Sequence, residues 1–455
     1  MKRWLPWFAI PILFSLWILS NAPTNSGLLQ DSDTHVLLAN IRERQNPMSW
    51  FYGDWPLYNH FYRPISTLFF EFDNALYGQR AAGYGFTNAL IAALCVIGAF
   101  WLIRELTDDP PTTAIATALF GFAHISLELP TAAFGILFSA LAFVSICGLA
   151  RGKLSTRFWP VALAIFACIF LMALIPGPLN IRSRIVDWLP GRTASVMTLF
   201  ALPAIAAFIR YLRLTAQITP QPPTPFDQPA TKSTVIISSS PKTKLLPFIA
   251  AIGLLLALGS YEQAVTIPGI LTGALILSHF QGRKVPWIHL TWIWGSLFGY
   301  LALRAAVIPR DVSQYQDQQF RSGPGVYMDL ANYIAPGFAG IPQLGTIAEL
   351  GIASLLSGLI WTAIAVLIGN IAVIVGLAKS RDRWLIIATW IMAFVAFLPM
   401  AWLKFFGHYH YFPAPFYCLL LVLLAKQTIT WVIEAISPTP VQAPPLRVSG
   451  EGVGG

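Results

Sequence analysis

The sequence predicts an all-α, polytopic integral membrane protein with about 12 transmembrane helices, and three observations predict it. Only 11% of the 455 residues are charged, while 56% are hydrophobic and the mean hydropathy is +0.63; soluble domains carry roughly a quarter charged residues. Apolar runs of span length recur from one end of the chain to the other, more than a soluble domain could bury. The 16 Trp, 31 Phe and 14 Tyr suit the two bilayer interfaces. A soluble fold and a disordered chain are both excluded. The 29 basic and 20 acidic side chains leave a net charge of +9. In a membrane protein this excess sets orientation, so no nucleic acid partner is expected.

The elements follow in order. Lys2 and Arg3 precede an apolar run from Trp4 to about Leu19. It is read as an uncleaved first span, although Ser20-Asn21-Ala22 weakly resembles a signal-peptidase site. Eleven further spans are predicted near 84–104, 112–127, 130–150, 157–176, 192–212, 244–260, 263–280, 286–307, 350–378, 385–403 and 411–432. The pairs at 112–150 and 244–280 contain a polar residue and Pro130 or Pro268, which would allow kinked or re-entrant segments. Residues 1–436 form one membrane domain. It carries a first extracytoplasmic loop at 23–83 with interfacial helices, a Pro/Ser/Thr-rich cytoplasmic linker at 215–243 and a second extracytoplasmic loop at 308–349. The tail at 437–455 is Pro- and Gly-rich and is read as a disordered cytoplasmic segment. The four cysteines Cys95, Cys147, Cys168 and Cys418 lie within apolar segments without metal or redox spacing, and are read as core residues.

Sidedness comes from the loops. Lys2, Arg3, Arg151, Lys153, Arg157, Arg213, Arg283, Lys284, Lys379 and Arg383 share one side, which the retention of basic residues identifies as the cytoplasm. Both termini are then cytoplasmic, in a multi-pass protein of the cell membrane.

Ionisable groups at the outer ends of spans are costly to bury and so become site candidates. Asp31-Ser32-Asp33 lies just beyond the first span, followed by His35. Either carboxylate could serve as a general base at the membrane surface, or both could belong to a solvated loop with Asp31 as a helix N-cap. Arg63 stands among aromatics and could hold a lipid phosphate or anchor an interfacial helix, while Glu71 and Asp73 are read as solvent-facing. Arg182, Arg184 and Arg192 crowd a short outer turn against the charge rule. Guanidinium groups clamp phosphate, which gives one reason for them; pairing with Asp187 gives another. Glu128, Glu262 and the turn from Lys404 to Pro413 complete the set; His408-x-His410 lacks a third metal ligand nearby.

The order of these features resembles that of the polytopic GT-C glycosyltransferases, especially the protein O-mannosyltransferase-like branch. The resemblance rests on Asp31 to Asp33, Tyr62-Arg63-Pro64-Ile65, Gly83-Tyr84-Gly85-Phe86-Thr87-Asn88, Trp188-Leu-Pro-Gly191-Arg192-Thr193, Ser260-Tyr261-Glu262 with Pro268, and His408-Tyr409-His410-Tyr411-Phe412-Pro413. It spans about residues 31 to 413. Tyr261 replaces the family's lysine and His408 its late arginine, which would move a phosphate anchor to Lys404. Ser32 splits the acidic pair, so the base is Asp31 or Asp33.

The resemblance implies a GT-C fold and inverting transfer of a sugar from a polyprenyl-phosphate donor to a protein, glycan or lipid acceptor on the extracytoplasmic face. By the same resemblance, Arg63, Arg182, Arg184, Arg192 and Lys404 would bind the donor phosphate. His35, Tyr62, Glu128, Glu262, His408 and Tyr409 would position substrate. No cofactor is read from the sequence, and a divalent cation stays open. Membrane lipids are the other partners. The competing readings are a transporter or flippase for a lipid-linked or acidic solute, and a non-catalytic relative; a transporter would show broken helices with charges near mid-membrane.

Overall fold

The computed structural model describes residues 2–124, 181–217, 241–281, 283, 285–323, 326, 380, 382–404 and 406–436. Among them the regular elements are helices, with one isolated bridge between Phe320 and Leu403. In chain order the α-helices are α1 (Ala9–Ser20), α2 (Ser32–Arg44), α3 (Pro64–Tyr77), α4 (Ala81–Thr107), α5 (Pro110–Phe122), α6 (Arg182–Ile185) and α7 (Arg192–Gln217). Then come α8 (Pro241–Leu258), α9 (Ile267–Phe280), α10 (His289–Val307), α11 (Gln314–Gln319), α12 (Arg383–Phe397) and α13 (Ala414–Ile436).

Among the described residues, six helical stretches are long and apolar enough to cross a membrane: Arg3–Ser20, Ala81–Thr107, Arg192–Thr215, Glu262–Phe280, His289–Val307 and Arg383–Met400. Helices α5, α8 and α13 occupy three more predicted span positions. The predicted spans at 130–150, 157–176 and 350–378, most of the linker, the second loop beyond Gly323 apart from Val326, the tail and Glu128 lie outside the described residues. The segment predicted as a kinked pair at 244–280 is two separate helices. The chain reverses after α8, and Pro268 sits in the first turn of α9, where its missing N–H costs nothing.

Helix α7 is the axis of the bundle, packed between α4 and α8. Small residues permit the close approach: Gly98 faces Leu202, Gly253 faces Ala204, and the Cys95 thiol donates to the Ser195 carbonyl at 3.4 Å. Helix α1 lies against α4 and α5, tied by the Ser15 hydroxyl to the Ala93 carbonyl at 3.1 Å. Helix α13 packs on α5 and α12.

The two ends of the bundle differ in their charges. At one end Arg3 pairs with Asp108, Arg210 and Arg213 with Glu105, and Lys426 with Asp109. These groups belong to the predicted cytoplasmic side. At the other end the first loop folds as a cap with its own small core of Leu37, Leu38, Ile41, Trp50, Trp55 and Phe70, closed against Tyr84 and Leu189. The cap is joined to the bundle where the Ile65 N–H donates to the Gly259 carbonyl at 2.9 Å.

Candidate functional site

Under this cap, among the loop of the first cap, the α6–α7 turn, the outer ends of α10 and α12 and the turn before α13, lies a cavity of about 740 Å³. Each wall has a local reason to be there. Asp31 is the N-cap of α2, accepting from the Thr34 N–H at 3.2 Å, so the first turn of that helix presents Asp31 and Asp33 together. The Trp188 indole N–H donates to the same Asp31 oxygen at 3.1 Å and ties α2 to the α6–α7 turn. Asp33 receives no such donor among the described residues. Partial desolvation, reinforced by the Asp31 charge, raises its pKa above the ordinary aspartate value, while Arg184 pulls it back.

Gly191 makes this turn tight. A Cβ there would collide with the Arg184 carbonyl, so only glycine lets the strand of chain behind Trp188 pass Arg184. Arg184 itself is exposed on the cavity wall, its guanidinium 5.3 Å from the Trp188 ring centre and 5.8 Å from that of Phe406. No carboxylate pairs with it among the described residues.

The opposite wall is organised by Asp54. Its carboxylate accepts from the backbone N–H of His60 at 2.8 Å, of Phe61 at 3.0 Å and of Trp55 at 2.8 Å. This holds a loop in which Tyr58 and His60 have positive φ. The loop brings Trp55 and Phe61 over Arg63, whose guanidinium lies 4.7, 4.2 and 4.6 Å from the rings of Trp55, Phe61 and Tyr261. Glu262 closes the arrangement with a pair of contacts, Arg63 Nε to Oε2 at 2.8 Å and Nη2 to Oε2 at 2.6 Å. Burial opposes the Arg63 charge, but Glu262 and the nearby phenols outweigh it and raise its pKa. The end of α10 and the segment after it dock on the same loop, with Arg304 donating to the His60 carbonyl at 3.3 Å and the Ser313 hydroxyl to the Asn59 carbonyl at 3.0 Å.

His408 and Tyr409 form the far wall with Phe406. His408 is buried against Trp188 and Phe406, and its Nδ1 has no hydrogen-bond partner among the described residues. Burial, then the charges of Arg63 and Arg184, push its pKa down to about 3, so the imidazole is neutral. His410 turns away and stacks on Phe397, so the His-x-His pair does not act as a unit. Among the described residues no three His, Cys, Asp or Glu side chains cluster as a metal site.

Seven of the residues singled out in the sequence therefore meet at one cavity: Asp31, Asp33, Arg63, Arg184, Glu262, His408 and Tyr409. The others do not. Arg192 is fully buried, paired with Asp73 at 2.6 Å and bonded to Asn88 Oδ1 at 2.6 Å and the Tyr84 carbonyl at 3.0 Å. It is a structural lock, and Asp73 is its buried partner rather than a solvent-facing group. Arg182 pairs with Asp187 at 3.2 Å and donates to the Asn21 carbonyl at 2.7 Å, stitching the turn to the end of α1. Tyr62 is a core residue whose hydroxyl donates to the Phe51 carbonyl. His35 and Lys404 are exposed and line no part of the cavity. Sequence reasoning missed Arg304, a second cation on the wall, which stands at the predicted outer end of a span and is visible to the same rule that selected Arg184. It also missed the uncharged members Asn59, Tyr300 and Gln319, which carry no charge signal. Compared with protein-family models, curated proteins and solved structures, the chain matches none.

Proposed function

We propose that the protein is a polytopic membrane glycosyltransferase of GT-C type, moving a sugar from a polyprenyl-phosphate donor to a hydroxyl or amine acceptor on its extracytoplasmic side. The observation that carries this reading is the convergence of Asp31 and Asp33 with the carboxylate-free arginines Arg184 and Arg304 on one cavity at the predicted outer end of the bundle. Asp33 suits the general base. It lines the cavity, has no competing side-chain donor among the described residues and is more basic than an ordinary aspartate. Asp31, held by Thr34 and Trp188, fixes the turn and keeps a second negative charge beside it.

In the reaction the acceptor oxygen or nitrogen attacks the anomeric carbon while Asp33 takes its proton. The bond from that carbon to the phosphate oxygen breaks on the opposite face, its electron pair leaving with the phosphate. Arg184 and Arg304 are the cations placed to meet that charge. The paired Arg63 contributes less, because Glu262 already neutralises it. Tyr58, Trp188 and Tyr315 offer faces on which a sugar ring can stack.

The test uses the full chain in proteoliposomes with a radiolabelled polyprenyl-phosphate sugar. Asp33→Asn should lower sugar transfer by roughly two to four orders of magnitude with normal insertion. Full activity in both Asp33→Asn and Asp31→Asn ends this mechanism. Acceptor-independent movement of the intact donor across the vesicle, blocked by these changes, would establish the flippase reading.

A further inference from the structure

A second cavity, of about 590 Å³, lies at the opposite end of the bundle between α7, α9 and α12, far from the aspartates. Its volume falls within the roughly 300–1,000 Å³ of small-molecule sites. Its walls are aliphatic, from Ile270, Leu277, Ile391 and Val395, and its depth comes from Gly269 and Gly273 on α9. A Cβ at Gly273 would meet nothing within 4 Å, so the groove there is open space rather than tight helix packing.

The mouth carries both signs: Arg213 and Arg283 line it together with Glu105 and Asp108, and Arg383 lies over Trp384, 5.6 Å from the ring centre. Arg213 is already paired with Glu105 and Asp108. Arg283, set by a backbone bond from its N–H to the Ser278 carbonyl just past α9, has no carboxylate partner among the described residues. Partial burial and the like charge of Arg213 lower its pKa, which is the signature of a cation lacking its counter-ion. An apolar slot that ends in an uncompensated guanidinium beside a half-exposed Trp384 is complementary to a molecule with one apolar chain and one anionic head.

We propose that this groove binds an anionic glycerophospholipid of the predicted cytoplasmic leaflet, one acyl chain lying along Gly269 and Gly273 and the phosphate meeting Arg283. The site is separate from the outer cavity and does not rest on the transferase reading. Its role is to fix the α9–α12 contact at the inner end of the bundle.

Native mass spectrometry of the full chain, released from nanodiscs of mixed phosphatidylglycerol and phosphatidylcholine, tests it. The wild-type protein should retain phosphatidylglycerol preferentially. Arg283→Ala should lower that preference about fivefold, the loss of one surface cation. Gly273→Leu, which fills the slot, should abolish retention of either lipid, while Gly273→Ala should not. Retention unchanged in both Arg283→Ala and Gly273→Leu overturns the proposal. So does displacement of phosphatidylglycerol by added polyprenyl phosphate, which would give the groove to the donor lipid, or a dimer that Gly273→Leu dissociates, which would give it to a second copy of the chain.

Discussion

Arg192 and Arg184 stand eight residues apart around the same outer turn, and both drew attention for violating the charge rule. The structure puts them in opposite circumstances. Arg192 has no exposed surface and spends its guanidinium on Asp73, Asn88 and the Tyr84 carbonyl, beneath the ring of Phe70 at 5.0 Å. Arg184 is exposed on the cavity wall with its guanidinium over the faces of Trp188 and Phe406, and no carboxylate pairs with it among the described residues. A saturated cation holds the fold together, whereas an unsaturated one has capacity left for a ligand. The same contrast separates the inner end of the bundle, where most charges of the described residues are paired with each other, from the outer cavity.

The largest effect should therefore come from breaking the saturated site. Arg192→Ala leaves the Asp73 carboxylate buried without its cation and should cost about 3–5 kcal/mol, as should Asp73→Ala for the converse reason. Both variants should be recovered mainly as unfolded or aggregated protein when melts are followed in detergent. If Arg192→Ala kept its melting temperature and lost only donor binding, Arg192 would return to the list of ligands.

Arg184→Ala and Arg304→Ala make the opposite case. Neither removes a partner from a buried carboxylate, so stability should change by less than about 0.5 kcal/mol. Each should raise KM for a polyprenyl-phosphate donor by roughly ten- to a hundredfold, the worth of a charge-assisted bond to phosphate. Arg63→Ala is distinguishable from both, because it strands Glu262 and should lower stability along with activity.

The contrast explains what was legible in the sequence. Helix positions could be read because they depend on local apolar runs, and a helix stands at each predicted span that falls within the described residues. The acidic pair and the outer arginines could be read because charge at the end of a span is costly wherever the chain folds. Saturation could not be read. Asp73 sits on α3 in an amphipathic stretch and carries no local sign that it will face Arg192, 119 residues later in the chain. For the same reason Lys404 was named as an anchor when the chain turns it outward, and Arg304 was overlooked inside an apolar helix. Asp54 was missed because its three acceptor bonds arise from the loop geometry it creates.

A subtler effect sharpens the comparison at the aspartates. Because Asp31 raises the Asp33 pKa and Arg184 lowers it, the acid limb of kcat/KM should respond in opposite directions to the two neighbours. Asp31→Asn removes a like charge, so Asp33 ionises more readily and the limb should move to lower pH. Arg184→Gln should move it to higher pH. Movement in the same direction in both variants would assign the limb to a different group.

The smallest effect concerns His408, where burial decides a charge state rather than a pairing. Its folded pKa of about 3 lies below the ordinary value of 6.5, so the folded protein excludes a proton that the unfolded chain accepts. The neutral imidazole contributes its full share of stability above about pH 6.5 and loses it as the pH falls toward 3. The melting temperature of the wild type should therefore drop between pH 7.5 and 5, and His408→Gln should flatten part of that drop. His410, with a pKa also pushed down to about 3 by burial, should account for a further part. An unchanged slope in the double variant His408→Gln, His410→Gln would place the acid sensitivity elsewhere. Activity over the same range should show no limb from His408, because a group already neutral at pH 7.5 stays neutral down to pH 5.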